Sequence, residues 1–326
     1  MPTSISRRQA LGLTLSSLSL PVLAQTPANW PNKTLRIVVG FPGGSSPDLM
    51  ARTLAEPLSK ALGQPVIVEN RVGAGGNIAA ETVAHATDNH TLGLMINGNM
   101  TIARLLNPKI HYDPLKDLAP VSLIATAPLI LAAPASLPGA TPQAVLEAAR
   151  KAGEQWSYGS PGVGTVAHLG MEMLKARAHL GAVHVPYPGN PQVITAMLGS
   201  QVQLALLPPG LALAQVKAGK LRAIGVTSST RSSLAPEVPS LAESGVTGFN
   251  LEIWNAVAAP ANLPAPIVAR LSDLLSGIAR TPEVRDKLFQ MGWQVAGTSS
   301  EGLANRVKAD TRSMGEVIQK QRIQAD

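Results

Sequence analysis

Short apolar runs alternate along this chain with longer stretches in which apolar residues return every three or four positions. The first pattern predicts buried strands and the second amphipathic helices. Leu35–Val39 is the first strand, and Pro47–Leu62 the first helix, with Leu49, Leu54, Leu58 and Leu62 on or near one face and Gly63 as its stop. Val66–Glu69 is the next strand, Ile78–His85 the next helix, and Leu92–Ile96 a strand that closes at Asn97-Gly98-Asn99. Apolar runs at Val121–Ile124 and Leu129–Ala132 follow, divided by Pro128. Thr141 caps a helix with Pro142 at its first position, running to Gly153. Strands are predicted at Trp156–Tyr158, Val183–Pro186, Val202–Leu207 and Ala223–Val226, with helices at Val166–Ala178 and Pro191–Leu198. The rest reads as largely helical: Pro266–Gly277, a helix from Thr281 to Gly292, and a last one opened by the capping box Thr298-Ser299-Ser300-Glu301. Strand and helix in regular alternation predict an α/β fold.

Two places interrupt the alternation in the manner of domain crossings. One is Pro128; the other is the Ser/Thr-rich stretch Thr227–Ser233 with the prolines that follow it. They predict two α/β domains, the first discontinuous (29–127 and 227–326) and the second (128–226) inserted into it. The 326 residues are comfortable for two domains. Two crossings make a hinge, and the ligand cleft is expected between the domains, at the C-terminal ends of the strands.

Two glycine-rich loops sit where a strand hands over to a helix. They are Phe41-Pro42-Gly43-Gly44-Ser45-Ser46-Pro47-Asp48 and Gly159-Ser160-Pro161-Gly162-Val163-Gly164-Thr165. The free N–H groups and the dipole of a helix start favour an anion there, so two such half-sites predict a cleft that grips an anionic ligand from both sides. Thr165 is placed to cap its helix or to meet ligand. His168, one turn further on, is either an ordinary helix-face histidine or a ligand contact. Gly162-x-Gly164-x-x-Ala167 matches the dinucleotide fingerprint, but the next strand, His184-Val185-Pro186-Tyr187, lacks the acid that would hold the ribose. Tyr158 stands where a nucleophile elbow around Ser160 needs glycine. The histidines show no metal-ligand spacing, and no pair of carboxylates is placed for acid–base work.

Composition narrows the classes further. Aromatic residues are only 3%, and Lys and Arg are scattered, so a nucleic-acid surface is excluded despite a net charge of +7. Mean hydropathy is +0.15, yet no segment offers the ~18 uninterrupted apolar residues of a membrane span. Arg7-Arg8, the apolar stretch Leu11–Leu23 and Ala24 form the basic, apolar and small-residue parts of a signal peptide at 1–24. Arg7-Arg8 with Leu11 resembles a twin-arginine signal, with Sec export as the alternative. Cleavage after Ala24 takes the charge from +7 to +5. The chain has no cysteine, which excludes disulfides and a lipid anchor and leaves a protein free in the periplasm.

A family resemblance rests on many ordered matches. They include Leu35-Arg36-Ile37-Val38-Val39-Gly40-Phe41-Pro42, Asp48 with Ala51-Arg52, Leu62-Gly63-Gln64-Pro65 leading to Asn70-Arg71, and Gly73-Ala74-Gly75-Gly76-Asn77-Ile78. Tyr112-Asp113-Pro114, Lys116-Asp117-Leu118, Gly164-Thr165 with His168-Leu169, His184-Val185-Pro186-Tyr187, Gly219-Lys220-Leu221-Arg222-Ala223 and Pro236-Glu237-Val238-Pro239-Ser240 continue the series. Over about residues 31–320 the chain resembles the Bug family, the periplasmic receptors of tripartite tricarboxylate transporters. The resemblance implies a type II periplasmic binding protein fold that closes on a small carboxylate, acting as a monomer, without catalysis, cofactor or metal. It implies ligand contacts at Phe41, Gly44, Ser45, Ser46 and Asp48, at Ser160, Gly162, Gly164 and Thr165, and at Asn190. Ser45 replaces the second of two glycines usual in the first loop, and Pro47 precedes Asp48. Asp48 is either a dipole-compensating acid in a first helical turn or an acceptor for a ligand ammonium. The implied partners are membrane permease subunits; a sensor-kinase ectodomain is the alternative, and an exported enzyme a third reading without a catalytic constellation.

Overall fold

Parallel pairing organises the first lobe. β1 (Leu35–Val39) lies between β2 (Val66–Asn70) and β3 (Thr91–Ile96), parallel to both. The connections are α1 (Ser46–Leu62) and α2 (Asn77–Ala84). The apolar residues of β1 and β3 are buried on both faces, as parallel strands require. Gly63 ends α1 in the left-handed conformation, φ 67°, with its N–H on Ser59 O. Past β3 the chain does not stop at Asn97-Gly98-Asn99. It winds into a wide π-helical turn, Gly98–Ile102, that runs into α3 (Ala103–Leu106). The computed structural model describes residues 29–321 and 323, so the expected signal peptide lies outside the described residues.

β4 (Leu118–Pro128) is one long strand, and at its end the chain crosses to the second lobe. There β5 (Ile130–Pro134), α4 (Pro142–Ala152), β6 (Ser157–Ser160), α5 (Val166–Ala178), β7 (Val183–Pro186), α6 (Asn190–Leu198), β8 (Leu204–Leu207), α7 (Pro209–Lys217) and β9 (Leu221–Val226) follow in turn. Their sheet has the order β7-β6-β8-β5-β9. Thr141 caps α4 by accepting the Ala144 N–H, as its sequence suggests.

The chain does not leave the second lobe at Thr227. Val226 N–H bonds to Pro239 O and Leu241 N–H to Val226 O, and Ala235 and Val238 pack with the core of the second sheet. The stretch 227–251, expected in the first domain, therefore stays with the second sheet. Prolines and hydroxyls mark a loop but carry no information about its direction. The two crossings are joined by Thr227, fully buried: its Oγ1 accepts the Leu129 N–H (2.7 Å) and donates to Leu251 O (2.7 Å).

The chain re-enters the first sheet as β10 (Glu252–Pro260), antiparallel between β3 and β4. Its alanines and its burial on both faces remove the alternation that would mark a strand in the sequence. α8 (Ala265–Arg280), α9 (Pro282–Gln290), β11 (Gln294–Val295) and α10 (Ser300–Gln321) complete the lobe, whose sheet has the order β11-β4-β10-β3-β1-β2. The main core cluster runs through the hinge, including Ile37 and Val121 in one lobe, Leu129 at the crossing and Leu206 in the other.

Candidate ligand-binding site

Three helix starts meet between the lobes. α1 follows Ser45, whose backbone is extended and whose side chain makes no capping bond. The N–H groups of Ser46 and Asp48 have no acceptor within the helix, and Pro47 has no N–H to satisfy. α5 follows Thr165, whose Oγ1 accepts the His168 N–H (3.3 Å) and donates to Gly162 O (2.7 Å). That leaves the N–H groups of Val166 and Ala167 without helical acceptors. α6 begins at Asn190 after an extended Gly189. Ser46, Pro47, Thr165, Val166, Ala167 and Asn190 line one cavity of about 50 Å³. All three dipoles favour negative charge near their starts.

Glycines let the lobes approach until backbone meets backbone. A Cβ on Gly162 would stand 2.8 Å from Gly75 Cα, and one on Gly98 2.7 Å from Gly164 O. One on Gly189 would stand 2.7 Å from Pro42 Cδ. The turn around Gly75 thus belongs to the first lobe's closing edge and meets the second loop directly.

Several buried polar atoms in this region lack a partner among the described residues: Ser45 Oγ, Asn190 Oδ1 and Asn255 Nδ2. Ser45 and Asn255 are 1% exposed and Asn190 8%, so water does not satisfy them at the surface. Asn97 is held by its Nδ2 on Glu252 O (3.0 Å). The remaining wall is apolar: Phe41, Ile96, Leu129, Leu206, Pro208, Ile253, Trp254 and Trp293 are prominent in it. Among the described residues, no Asp, Glu, Lys, Arg or His lines the cavity. Among the described residues no group of His, Asp and Glu is placed to hold a metal ion.

The residues expected from the sequence divide into groups. Phe41, Ser46, Thr165 and Asn190 line the cavity, and Ser45 contributes an unpaired hydroxyl at the α1 start. Gly162 and Gly164 lie on the closing seam, at a groove across its mouth. Gly44 is exposed, and its N–H is used on Asp48. Ser160 turns its hydroxyl to His184 Nε2 (2.7 Å) and accepts the Gly162 N–H (3.2 Å), so it shapes the loop from behind. His168 also faces away: its ring stacks on His184 at 4.4 Å and lines a separate groove with Glu172 and Lys175.

Asp48 is engaged within its own lobe. Its carboxylate is buried and accepts from Gly44 N (3.0 Å), Arg52 Nε (3.1 Å) and Asn70 Nδ2 (2.9 Å). Burial by itself raises its pKa, but the bonds from Arg52, Asn70 and Gly44 and the Arg52 charge outweigh it and hold the carboxyl below its usual range. Asn70 Nδ2 also donates to Phe41 O (2.9 Å), so the cluster ties the first loop to β2. Asn97, Asn255, Trp254 and Trp293 are absent from the sequence expectations. Asn97 had a signal, the Asn-Gly-Asn ending of a strand; Asn255 and Trp254 lie in the unforeseen β10.

The sequence model described as tripartite tricarboxylate transporter family receptor matches residues 50–323. A UPF0065 protein from the tcbD-tcbE intergenic region of Pseudomonas sp. strain P51 is 33% identical over 326 residues, 99% of this chain and 97% of the relative. Among solved structures, MatC from Rhodopseudomonas palustris with bound malate superposes with a TM-score of 0.84 at 30% identity, covering 89% of this chain and 100% of MatC. An R. palustris protein with adipate gives a TM-score of 0.87 at 29% identity, covering 91% and 99%.

Proposed function

Because the chain belongs to the tripartite tricarboxylate transporter receptor family, we propose that it captures a small organic carboxylate in the periplasm and hands it to the permease of such a transporter. It is a solute-binding receptor and not an enzyme. The carboxylate reading rests on one observation: three helix starts converge on a cavity lined by Asn190 and Asn255, each with an unpaired amide atom, next to the unpaired Ser45 Oγ that precedes α1. Free N–H groups in such an arrangement bind an anion without a cationic side chain. The ligand carboxylate is assigned to the N–H groups of Ser46, Val166 and Ala167, with Ser45, Thr165 and Asn190 beside it and Phe41 as wall. Malate and adipate in the two R. palustris neighbours support a carboxylate as the ligand class. The signal-peptide pattern at 1–24 supports export.

A thermal-shift screen of mono-, di- and tricarboxylates on the mature chain tests this reading. A cognate carboxylate at 100 times its Kd adds about 2.7 kcal/mol of stability. Stabilisation by sugars or nucleotides and by no carboxylate would refute it.

A further inference from the structure

The last helix belongs to the first lobe, but the chain beyond it does not stay there. Ser300 Oγ, at the start of α10, donates to Pro120 O of β4 (2.7 Å). Leu303 and Val307 share an apolar cluster with Trp254, Ala256 and Ala258 of β10, and Arg306 donates to Glu252 at the head of that strand (2.8 Å). A Cβ on Gly315 would stand 3.7 Å from Leu105 Cδ1 of α3, so the first lobe holds the helix along most of its length. Ile323, two residues beyond Gln321, reaches the other lobe. Its N–H bonds to Ile318 O (3.0 Å), which keeps it fixed to the helix end. It is half-buried, packs on the main apolar cluster and lines a groove of about 750 Å³. Every other residue that lines this groove, from Glu154 to Pro186, belongs to the second lobe, and Leu180, Ala182 and Val183 give it an apolar part.

The place of the groove decides what the contact does. Val163 and Pro186 line both this groove and the one across the mouth of the cleft. Val163 also lies on the closing seam, where a Cβ on Gly75 of the first lobe would stand 2.6 Å from Val163 O. Ile323 therefore meets the second lobe beside the edge that parts when the lobes open, and not at the crossings joined by Thr227. The walls of the groove, α5 and β7, move together as parts of one lobe. Opening thus withdraws Ile323 from the groove and returns apolar surface to water.

The geometry points to a latch: Ile323, carried on α10 of the first lobe, seats in the α5–β7 groove of the second and holds the lobes closed. A contact made in the closed arrangement alone raises the population of that arrangement. On the carboxylate-receptor reading it tightens binding without touching the carboxylate, by slowing reopening.

Ile323→Ala and the conservative Ile323→Val test the latch on the mature protein. The probe is the carboxylate that gives the largest shift in the thermal screen, titrated by calorimetry, with its dissociation followed by stopped-flow tryptophan fluorescence. Ile323→Ala should raise Kd by about three- to tenfold, the scale of half-burying an isoleucine side chain, and the rise should come from faster dissociation. Ile323→Val should stay within about twofold of wild type, since it keeps most of the apolar contact. Wild-type affinity and dissociation rate in Ile323→Ala overturn the latch and leave the receptor reading intact. A lowered melting temperature of the ligand-free variant with unchanged affinity does the same, because it assigns Ile323 to the packing of α10 alone. A loss of affinity that Ile323→Val does not recover also overturns it. If the screen returns no carboxylate, the receptor reading falls by itself, and small-angle scattering of the ligand-free proteins decides on the latch: a larger radius of gyration in Ile323→Ala supports it, and equal radii overturn it.

Discussion

Gly98→Ala places one methyl group on the seam between the lobes and nowhere else of consequence. Its Cβ would stand 2.7 Å from Gly164 O and 3.2 Å from Thr165 Cα, both across the cleft. Ordinary contact begins at about 3.5–4.0 Å. Within its own lobe the methyl comes within 3.1 Å of Ile96 Cδ1, the far end of a flexible side chain. The backbone at Gly98 lies outside the left-handed region, so alanine fits its conformation and removes some freedom from the unfolded chain. Overpacking of this kind costs about 1–3 kcal/mol, and here the cost falls on the closed arrangement alone. Affinity for the cognate carboxylate should drop by about five- to 150-fold, while the unliganded protein melts no lower than wild type. Calorimetric titration gives the first number and a thermal melt the second. Small-angle scattering should show a reduced ligand-induced contraction. Gly189→Ala, whose Cβ would meet Pro42 Cδ at 2.7 Å from an extended backbone, is an independent wedge at another point of the seam. Wild-type affinity and contraction in both variants would refute the argument that these glycines permit closure.

Thr227→Val keeps the shape of the hinge but leaves the buried Leu129 N–H without an acceptor, and should cost about 1–3 kcal/mol by denaturant unfolding; Thr227→Ser should recover most of it. Asp48→Asn should cost about 1–3 kcal/mol at neutral pH, since it weakens bonds to a buried charge. The folded pKa of Asp48 lies below its unfolded value of 3.8, so its stabilisation is complete above that value and is lost as pH falls through the folded pKa. The wild-type advantage in melting temperature should therefore shrink only in acid; a constant gap down to strong acid would contradict it. Among the described residues no side chain that titrates near neutrality lines the cavity, so carboxylate affinity should stay within about twofold between pH ~6 and ~9. A step near ~6.5 would place a histidine in the site.

The fold was legible wherever a local signal had a single structural meaning. β3 was marked by its apolar run, α1 by its loop and by Gly63, and α4 by Thr141-Pro142. β10 was not legible, because a strand buried on both faces and rich in alanine has no alternation, and Ile253 and Val257 alone are β-branched in it. Its loss concealed Ile253, Trp254 and Asn255, and with them one side of the cavity. The return crossing was placed too early because Thr227–Ser233 reads as a loop whichever lobe it covers. Sequence identified the two helix starts, at Pro47 (one residue late) and Val166, since a glycine-rich strand–helix junction has a physical consequence by itself. It could not divide the side chains there by direction. Asp48 and His168 belong to the same loops as Ser46 and Thr165, and only the packing of Arg52, Asn70 and His184 turns them away.

On the proposed reading, the anion end of the cleft is built largely from main-chain N–H groups, and these do not change when a codon does. Substitutions can alter Trp254, Trp293, Ile253 or Asn255 and reshape what the far end of the cavity accepts, while the hold on a carboxylate persists. A duplicated copy of such a gene can therefore drift from one acid to another through intermediates that still bind something. A receptor that depended on an arginine for its anion would lose all binding at the first unlucky change.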